Sequence, residues 1–268
     1  MQRGQRIAGR YEVEGALGNG GVARLMIARD LREDRHVVLK SLQPAHLGDA
    51  LVVRRFAREA AILALAPIPH VPRLLAAHED VLVLEYVSGT TLADVLLEGS
   101  LETSRAVAIA TQLLEALEAL HGAGAVHRDI KPDNVIVDGD RATLIDFGIA
   151  AFLDGRDECT PVGVSMTTLA FATPEQLTGS HGRDPRVDVY AVGMLLFLML
   201  AGEMPYRATA PAELARCIQD EPVPPLRAFR RDPPTHLEGI VRRALAKDPS
   251  HRWKSALAMR RALLAFPG

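Results

Sequence analysis

The spacing of apolar residues changes once along this chain, near Tyr86 to Gly89, and that change limits the folds open to it. Before it, the pattern is mostly strand-like: Tyr11 to Glu14 alternates, Val22 to Ala28 follows a glycine cluster, and further short strands are expected over His36 to Ser41, Arg73 to Ala77 and Val81 to Tyr86. The cluster Gly18-Asn19-Gly20-Gly21 joins the first two as a hairpin with glycine at its tip. One helix interrupts the strands, Ala50 to Ala66, with Leu51, Phe56, Ile62 and Leu63 at helical spacing and Pro67 and Pro69 past its end. After Ser88-Gly89 the chain turns rich in Ala and Leu. Helices are expected over Thr91 to Leu97, Thr103 to His121, Arg186 to Gly202, Ala212 to Gln219, Leu237 to Ala246 and Lys254 to Ala265. The expected class is α+β, with a small antiparallel sheet and one main helix in residues 1–86 and a larger helical lobe in residues 87–268. A cleft between two such lobes is a common place for a ligand.

With 268 residues, 48% hydrophobic and 24% charged, the chain has ordinary globular composition and length for one large domain or two small lobes. A net charge of −2 argues against a polyanion-binding protein, so no nucleic-acid partner is expected. Cys159 and Cys217 lie far apart and form neither a disulfide framework nor a zinc pattern; a reducing, cytoplasmic setting is the simplest expectation. Met1 to Gly9 is polar and basic with no apolar run after it, so no signal peptide is expected. The longest apolar run, Val189 to Ala201, falls short of the roughly 20 residues that cross a bilayer and reads as a buried core helix. A membrane anchor in a longer natural protein stays open.

Chemistry concentrates in Val126-His127-Arg128-Asp129-Ile130-Lys131-Pro132-Asp133-Asn134, between the expected helix ending at His121 and the short strand Val135-Ile136-Val137. Asp129 is a candidate general base, Lys131 a cation able to neutralise charge on a transferring phosphoryl group, and Asn134 a metal-capable amide. Asp146-Phe147-Gly148 follows the apolar strand Ala142 to Ile145 and offers a second hard oxygen ligand twelve residues after Asn134. Lys40 closes the apolar strand Val37-Val38-Leu39-Lys40, either as a solvated strand-end lysine or as a cation for phosphates oriented by Glu59. Glu59 has the alternative of a surface pairing with Arg55. Gly18-x-Gly20 on a strand-turn-strand frame suits close approach of backbone amides to phosphate, although a plain glycine turn reads the same; no Gly-Lys-Ser/Thr is present. The segment from Asp146 to Glu175 is long and irregular, as functional or mobile loops are.

Together these residues resemble the eukaryotic-like (Hanks-type) serine/threonine protein kinase family, especially its bacterial branch, over about Tyr11 to Leu264. The matching pieces run in the family's order: Gly18-x-Gly20, Val37-Val38-Leu39-Lys40, Glu59, His127-Arg128-Asp129, Asn134, Asp146-Phe147-Gly148, Thr173-Pro174-Glu175, Asp188 and Arg252. The resemblance implies the bilobal kinase fold and transfer of the γ-phosphate of ATP, with Mg2+ or Mn2+, to Ser/Thr hydroxyls of proteins. It assigns catalysis to Asp129, Lys131, Lys40 and Glu59, and metal binding to Asn134 and Asp146. Nucleotide contacts fall on the loop Leu17-Gly18-Asn19-Gly20-Gly21, on Leu25, Val38 and Ile136 as apolar walls, on Leu84 as gatekeeper, and on backbone groups of Glu85 and Val87. Leu63, Leu74, His127 and Phe147 match the stacked apolar spine.

The same resemblance makes Asp188 the anchor of the catalytic-loop backbone and Glu175 with Arg252 a buried ion pair. Lys131 with Thr168 matches the Ser/Thr-specific pattern, and Arg128 the pattern regulated by activation-loop phosphorylation, with Thr160 the first candidate acceptor and Ser165 and Thr167 weaker ones. Self-association for autophosphorylation goes with that reading; a plain loop threonine before Pro161 is the alternative for Thr160. The departures are Ala23 for the third glycine, Leu25 and Val38 for smaller residues around the base, and Thr167 for the glycine before Thr168. Two other functions compete: a pseudokinase scaffold, which the intact Lys40, Asp129, Asn134 and Asp146 disfavour, and a small-molecule phosphotransferase, which Thr168, Thr173-Pro174-Glu175 and Asp188 disfavour.

Overall fold

Alternating apolar residues before Tyr86 produce a six-stranded antiparallel sheet, seen in a computed structural model that describes residues 2–19, 21–65, 67–153, 166–179, 183–230 and 235–265. Its strands are β1 (Arg6–Ile7), β2 (Tyr11–Asn19), β3 (Ala23–Asp30), β4 (Arg35–Leu42), β5 (Leu74–Ala77) and β6 (Val81–Glu85), in the order β1-β2-β3-β4-β6-β5. Val37 and Leu39 share one face with Met26, Ala28, Val81 and Val83, where Tyr11 and Val13 complete a buried cluster. One residue along, Val38 and Lys40 point the other way. Register pairs them with Ile27 and Leu25 on β3 and with Leu84 and Leu82 on β6. This second face carries the cluster of Leu42, Leu82 and Phe56, the last from α1 (Ala50–Leu63). Asp49 starts α1, accepting from the backbone N–H groups of Leu51 and Val52 at 2.9 and 3.3 Å.

By chain contacts this sheet and helix form one unit, Met1–Pro67 with Pro72–Val87, and the rest forms a second, Ile68–Val71 with Ser88–Gly268. The short excursion of Ile68–Val71 has a physical cause: the Leu144 N–H donates to the His70 carbonyl at 2.8 Å, and Ile68 is buried.

The second unit contains β7 (Thr90–Thr91), α2 (Leu92–Leu96), α3 (Thr103–Gly122), β8 (Ala125–Val126), β9 (Val135–Asp138), β10 (Arg141–Leu144), β11 (Ala151–Phe152), α4 (Met166–Ala170), α5 (Pro174–Leu177), α6 (Arg186–Ala201), α7 (Pro211–Asp220), α8 (Thr235–Ala244) and α9 (Ala256–Leu264). The apolar run Val189 to Ala201 lies within α6, which is buried on nearly every side and packs against α3, α8 and α9. Gly193 is the close-approach point, since a Cβ there would stand 2.6 Å from the Ala244 Cβ. Two small sheets support the loops: β10-β9-β7, and β11 paired with β8. The amide of Gln112 on α3 clamps the first, donating to the Asp140 carbonyl at 2.7 Å and accepting from the Ala142 N–H at 3.0 Å. Periodicity could not reveal β8 or β11, which are two residues each and exist only by pairing with one another. No helix among the described residues is long and apolar enough to cross a membrane.

Candidate active site

In the first unit, Lys40 is positioned by strand parity. Its Nζ lies 2.7 Å from Oε1 of Glu59, with Lys40 9% and Glu59 2% exposed. Of the two readings open for each residue, solvated strand end or phosphate cation and surface partner or orienting carboxylate, the buried pairing removes the solvated ones. Leu25, Val38 and Leu84 share this sheet face and are half-buried. Leu17 stands out as an extra residue where β2 slips register against β3, and is 51% exposed.

Gly18 differs from the expected turn tip. It lies within β2 opposite Leu25, because the hairpin ladder continues to Asn19 and Arg24. Gly20 lies outside the described residues. Neither Gly18 nor Gly21 has a positive φ, and no heavy atom stands within 4 Å of where a Cβ would sit on either. The fold itself therefore does not require glycine there; what the glycines preserve is open backbone. Gly21 is tied from outside the hairpin, its carbonyl lying 3.2 Å from Nε2 of His46. Glu85 ends β6 with its N–H donating to the Arg73 carbonyl at 2.9 Å. The Arg73 guanidinium holds the Glu85 carboxyl below its ordinary value, although partial burial pushes it up. The Val87 N–H, past the strand, has no acceptor among the described residues.

In the second unit the stretch Val126 to Asn134 is fixed from behind. Asp188, in the first turn of α6 and fully buried, accepts from the backbone N–H groups of His127 at 2.9 Å and Arg128 at 2.8 Å. Nε2 of His121, in the last turn of α3, lies 2.8 Å from the same carboxylate. Burial would raise the Asp188 carboxyl, but these partners outweigh it and hold the group below its ordinary value. A carboxylate at a helix N-terminus is also favoured by the helix dipole. Burial in turn pushes the His127 imidazole down against the pull of Asp188, Asp129 and Asp146, which keeps the ring neutral. Its Nδ1 can then accept from the Asp129 N–H at 3.3 Å, and its ring meets Phe147 edge to face at 4.6 Å. Of the other two expected spine members, Leu74 packs in the first unit on Leu42, Phe56 and Leu82, and Leu63 ends α1 half-buried beside the fully buried Ile62.

The functional ends of the stretch converge. Lys131 Nζ lies 3.0 and 2.8 Å from the two Asp129 carboxylate oxygens and donates to Thr168 Oγ1 at 3.1 Å. Asn134 Nδ2 donates to the Asp129 carbonyl at 2.8 Å and to its carboxylate at 3.0 Å, leaving Oδ1 as the remaining acceptor of that amide. The Ile145 N–H donates to the Asn134 carbonyl at 2.8 Å, which ties the start of Asp146-Phe147-Gly148 to the end of the Val126 to Asn134 stretch. Asp146 is exposed, and its Oδ1 accepts from the Gly148 N–H at 3.2 Å. Arg128 and Asp146 both adopt positive φ, 69° and 64°, a costly backbone for side-chain-bearing residues that persists only where surroundings enforce it.

An amide oxygen and a carboxylate are hard donors that fit a divalent cation such as magnesium. Among the described residues no group of three or more His, Cys, Asp or Glu forms a metal cluster, so further ligands would come from substrate phosphates and water, the usual pattern for magnesium. Ile136 lies half-buried on β9. The Arg128 guanidinium donates to the Ile149 carbonyl at 2.8 and 2.5 Å. Thr160 and Ser165 lie outside the described residues. Glu175 and Arg252 form a two-pronged ion pair at 2.7 Å on each arm, with Arg252 1% exposed and Tyr190 beneath its guanidinium. His121 escaped sequence reasoning: it marked only a helix end, and its role exists through a partner 67 residues away.

The family model for the protein kinase domain matches residues 11–263. The chain is 36% identical to serine/threonine-protein kinase pkn3 of Myxococcus xanthus, over 98% of this chain and 51% of that protein. It is 34% identical to PknB of Mycolicibacterium smegmatis, over 98% and 44%, and 32% identical to PrkC of Bacillus subtilis, over 96% and 40%. The chain thus spans about half the length, or less, of these curated relatives. Among solved structures, a mutant of the Mycobacterium tuberculosis PknI kinase domain aligns with a TM-score of 0.75 at 27% identity, covering 98% of both chains. Membership of this family implies use of ATP and a divalent metal. A match running from the start of β2 almost to the end of α9 takes in every element that carries Lys40, Asp129, Asn134 and Asp146, and the chain belongs to the protein kinase domain family, within its bacterial serine/threonine branch.

Proposed function

We propose that this chain transfers the γ-phosphoryl group of ATP to serine and threonine hydroxyls of proteins, itself included. The observation that carries the reading is the Asp129 carboxylate, held by Lys131 and Asn134 on a backbone anchored by Asp188. Asp129 orients the acceptor hydroxyl and takes its proton as the new O–P bond forms and the bond to the ADP leaving group breaks. Lys131, bridging Asp129 and Thr168, places a fixed positive charge beside the transferring group. Asn134 Oδ1 and the Asp146 carboxylate would hold magnesium, or manganese with the same preference for oxygen. The bound cation would neutralise charge developing on the phosphates.

Lys40, steadied by Glu59, supplies a cation for the α- and β-phosphates. Support for nucleotide binding by the first unit comes from three features: the open backbone at Gly18 and Gly21, the apolar face of Leu25, Val38 and Leu84, and the unengaged Val87 N–H. The Glu85 carbonyl is the second backbone group offered to the base. Arg128 would exchange the Ile149 carbonyl for an activation-loop phosphate, with Thr160 the first candidate acceptor.

The test is incubation with radiolabelled Mg-ATP followed by site mapping. Wild-type protein should label itself on Thr or Ser, with an initial rate rising more than linearly with protein concentration if one copy acts on another. Asp129→Asn and Lys40→Met should abolish labelling. Wild-type protein that binds ATP yet labels neither itself nor a generic basic protein would refute the proposal.

A further inference from the structure

Between β4 and α1 the chain makes one tight turn, Pro44–His46, and that turn reaches back to the glycine-bearing hairpin of the same unit. Its place is well fixed. Proline opens it and restricts the backbone, the His46 N–H donates to the Gln43 carbonyl at 2.9 Å, and the Asp49 N–H donates to the His46 carbonyl at 3.0 Å. From this base the His46 ring meets the Gly21 carbonyl, with Nε2 at 3.2 Å. A carbonyl only accepts, so Nε2 bears the hydrogen. Gln43 adds two contacts beside it: its N–H donates to the Val22 carbonyl at 3.0 Å and its side-chain amide to the Gly21 carbonyl at 3.5 Å.

Gly21 has little else to orient it. Glycine rotates freely, and no heavy atom stands within 4 Å of where its Cβ would sit. Holding its carbonyl sets the next N–H as well. A peptide unit is planar and trans, so its C=O and the following N–H point in opposite directions. With the Gly21 carbonyl on His46, the Val22 N–H is turned away from the Pro44–His46 turn, and it has no acceptor among the described residues. Gln43, which meets Val22, is extended and lies three residues beyond Lys40, about 10 Å along the strand direction. A triphosphate that meets the Lys40 ammonium through its first phosphates can bridge that distance with its last.

We infer that His46 is a positioning residue for the nucleotide: by holding the Gly21 carbonyl it presents the Val22 N–H to an oxygen of the terminal phosphates of ATP. The inference rests on the phosphoryl-transfer reading above for the identity of the ligand, and its test separates the two. His46 acts through the peptide unit it holds rather than by touching phosphate. The same turn leads into Asp49, the cap of α1, so one short segment holds both the phosphate-facing loop and the start of the helix that carries Glu59.

His46→Leu keeps much of the bulk of the ring and removes the donor, whereas His46→Gln keeps an N–H at similar reach. Titration calorimetry with Mg-ATP and, separately, with adenosine reads phosphate and base contacts apart. His46→Leu should weaken Mg-ATP binding by about three- to ten-fold, the span of one neutral hydrogen bond, and leave adenosine binding unchanged. His46→Gln should match wild type. KM for ATP in transfer to a generic basic protein should rise by a similar factor in His46→Leu, with a smaller change in kcat. Thermal melting checks that both variants are folded.

Equal loss of ATP and adenosine affinity, or a loss that His46→Gln does not repair, assigns His46 to the general shape of the hairpin and overturns the inference. So does an ATP affinity in His46→Leu equal to that of wild type while transfer proceeds, an outcome that leaves the phosphoryl-transfer reading standing. Dependence of ATP binding on His46 without any transfer by wild type does the reverse. Wild-type protein that binds no Mg-ATP overturns both.

Discussion

The carboxylate of Asp188 and the imidazole of His121 meet at 2.8 Å behind the backbone that carries His127 and Arg128. One comes from the start of α6 and the other from the end of α3, so the packing of two core helices decides the shape of the Val126 to Asn134 stretch. Asp188→Ala would leave two backbone N–H groups and an imidazole without their acceptor in a buried site. Losing one partner of such a network costs roughly 3–5 kcal/mol. Urea unfolding should show that loss for Asp188→Ala and a smaller one, about 1–3 kcal/mol, for His121→Leu. Equal stability of Asp188→Ala and wild type would mean that the anchor is not structural.

Arg252 makes a second buried network, donating to Glu175, to the carbonyls of Ala246, Arg186 and Lys247, and lying over Tyr190. Arg252→Met is expected to destabilise the protein by about 3–5 kcal/mol, since Glu175 is left charged and largely buried. Arg252→Lys should recover little, because an ammonium cannot reproduce a two-pronged fork and the carbonyl contacts together. Denaturant midpoints of the two variants check both statements.

The first unit has an acid-sensitive pair. Arg10 donates to both oxygens of Asp30 at 2.7 and 2.6 Å, which lowers the Asp30 carboxyl from 3.8 to about 2. A carboxyl that binds protons more weakly when folded stabilises the fold above its unfolded value, and that contribution disappears as pH falls through the folded one. Stability from this pair should therefore be complete above about pH 4 and decline toward about pH 2. Arg10→Met should flatten that part of the curve, measured by thermal melting across pH with wild type as reference.

Gly89 adopts a φ of +120°, and a Cβ there would stand 2.3 Å from the Val137 carbonyl oxygen. Side-chain-bearing residues avoid that φ, and the backbone of β9 cannot yield without opening its pairing with β7. Gly89→Ala should cost at least about 2 kcal/mol and expose the β9 amides to hydrogen exchange. Gly18→Ala, with positive space and no positive φ, should leave stability within about 0.5 kcal/mol and act on nucleotide binding instead.

Lys40 and Glu59 are buried together, so Glu59→Gln leaves the ammonium in place with a weaker partner. The expected outcome is a fall in kcat of about 10- to 100-fold through misplacement of the cation, with a smaller change in ATP affinity. Single-turnover kinetics alongside nucleotide titration separate the two.

Much of the framework was legible in residue order. Strand-like patterning located five of the six strands of the first unit and missed the two-residue β1; that Val38 and Lys40 lie on the face opposite Val37 and Leu39 came from the register of the sheet, since side-chain direction in a strand has a period of two. Helical spacing located α1, α3 and α6 to within a few residues. Gly18 was misplaced at a turn because a glycine cluster signals a turn without saying where the ladder ends; the bulges in β2 moved it into the strand.

What residue order determined by itself is the inventory: a base, two cations, two oxygen donors and their ordered spacing, which suffices to identify the family. Tertiary structure alone decided which of these groups meet. Lys131 reaches Asp129 and Thr168, Glu59 rather than solvent receives Lys40, and His121 completes the setting of Asp188. The physical reason is range: propensity and periodicity act over one or two turns of chain, whereas a buried charge must be satisfied by whatever packing brings within hydrogen-bonding distance. For His121 and Asp188 that partner lay 67 residues away, and no local pattern encodes it.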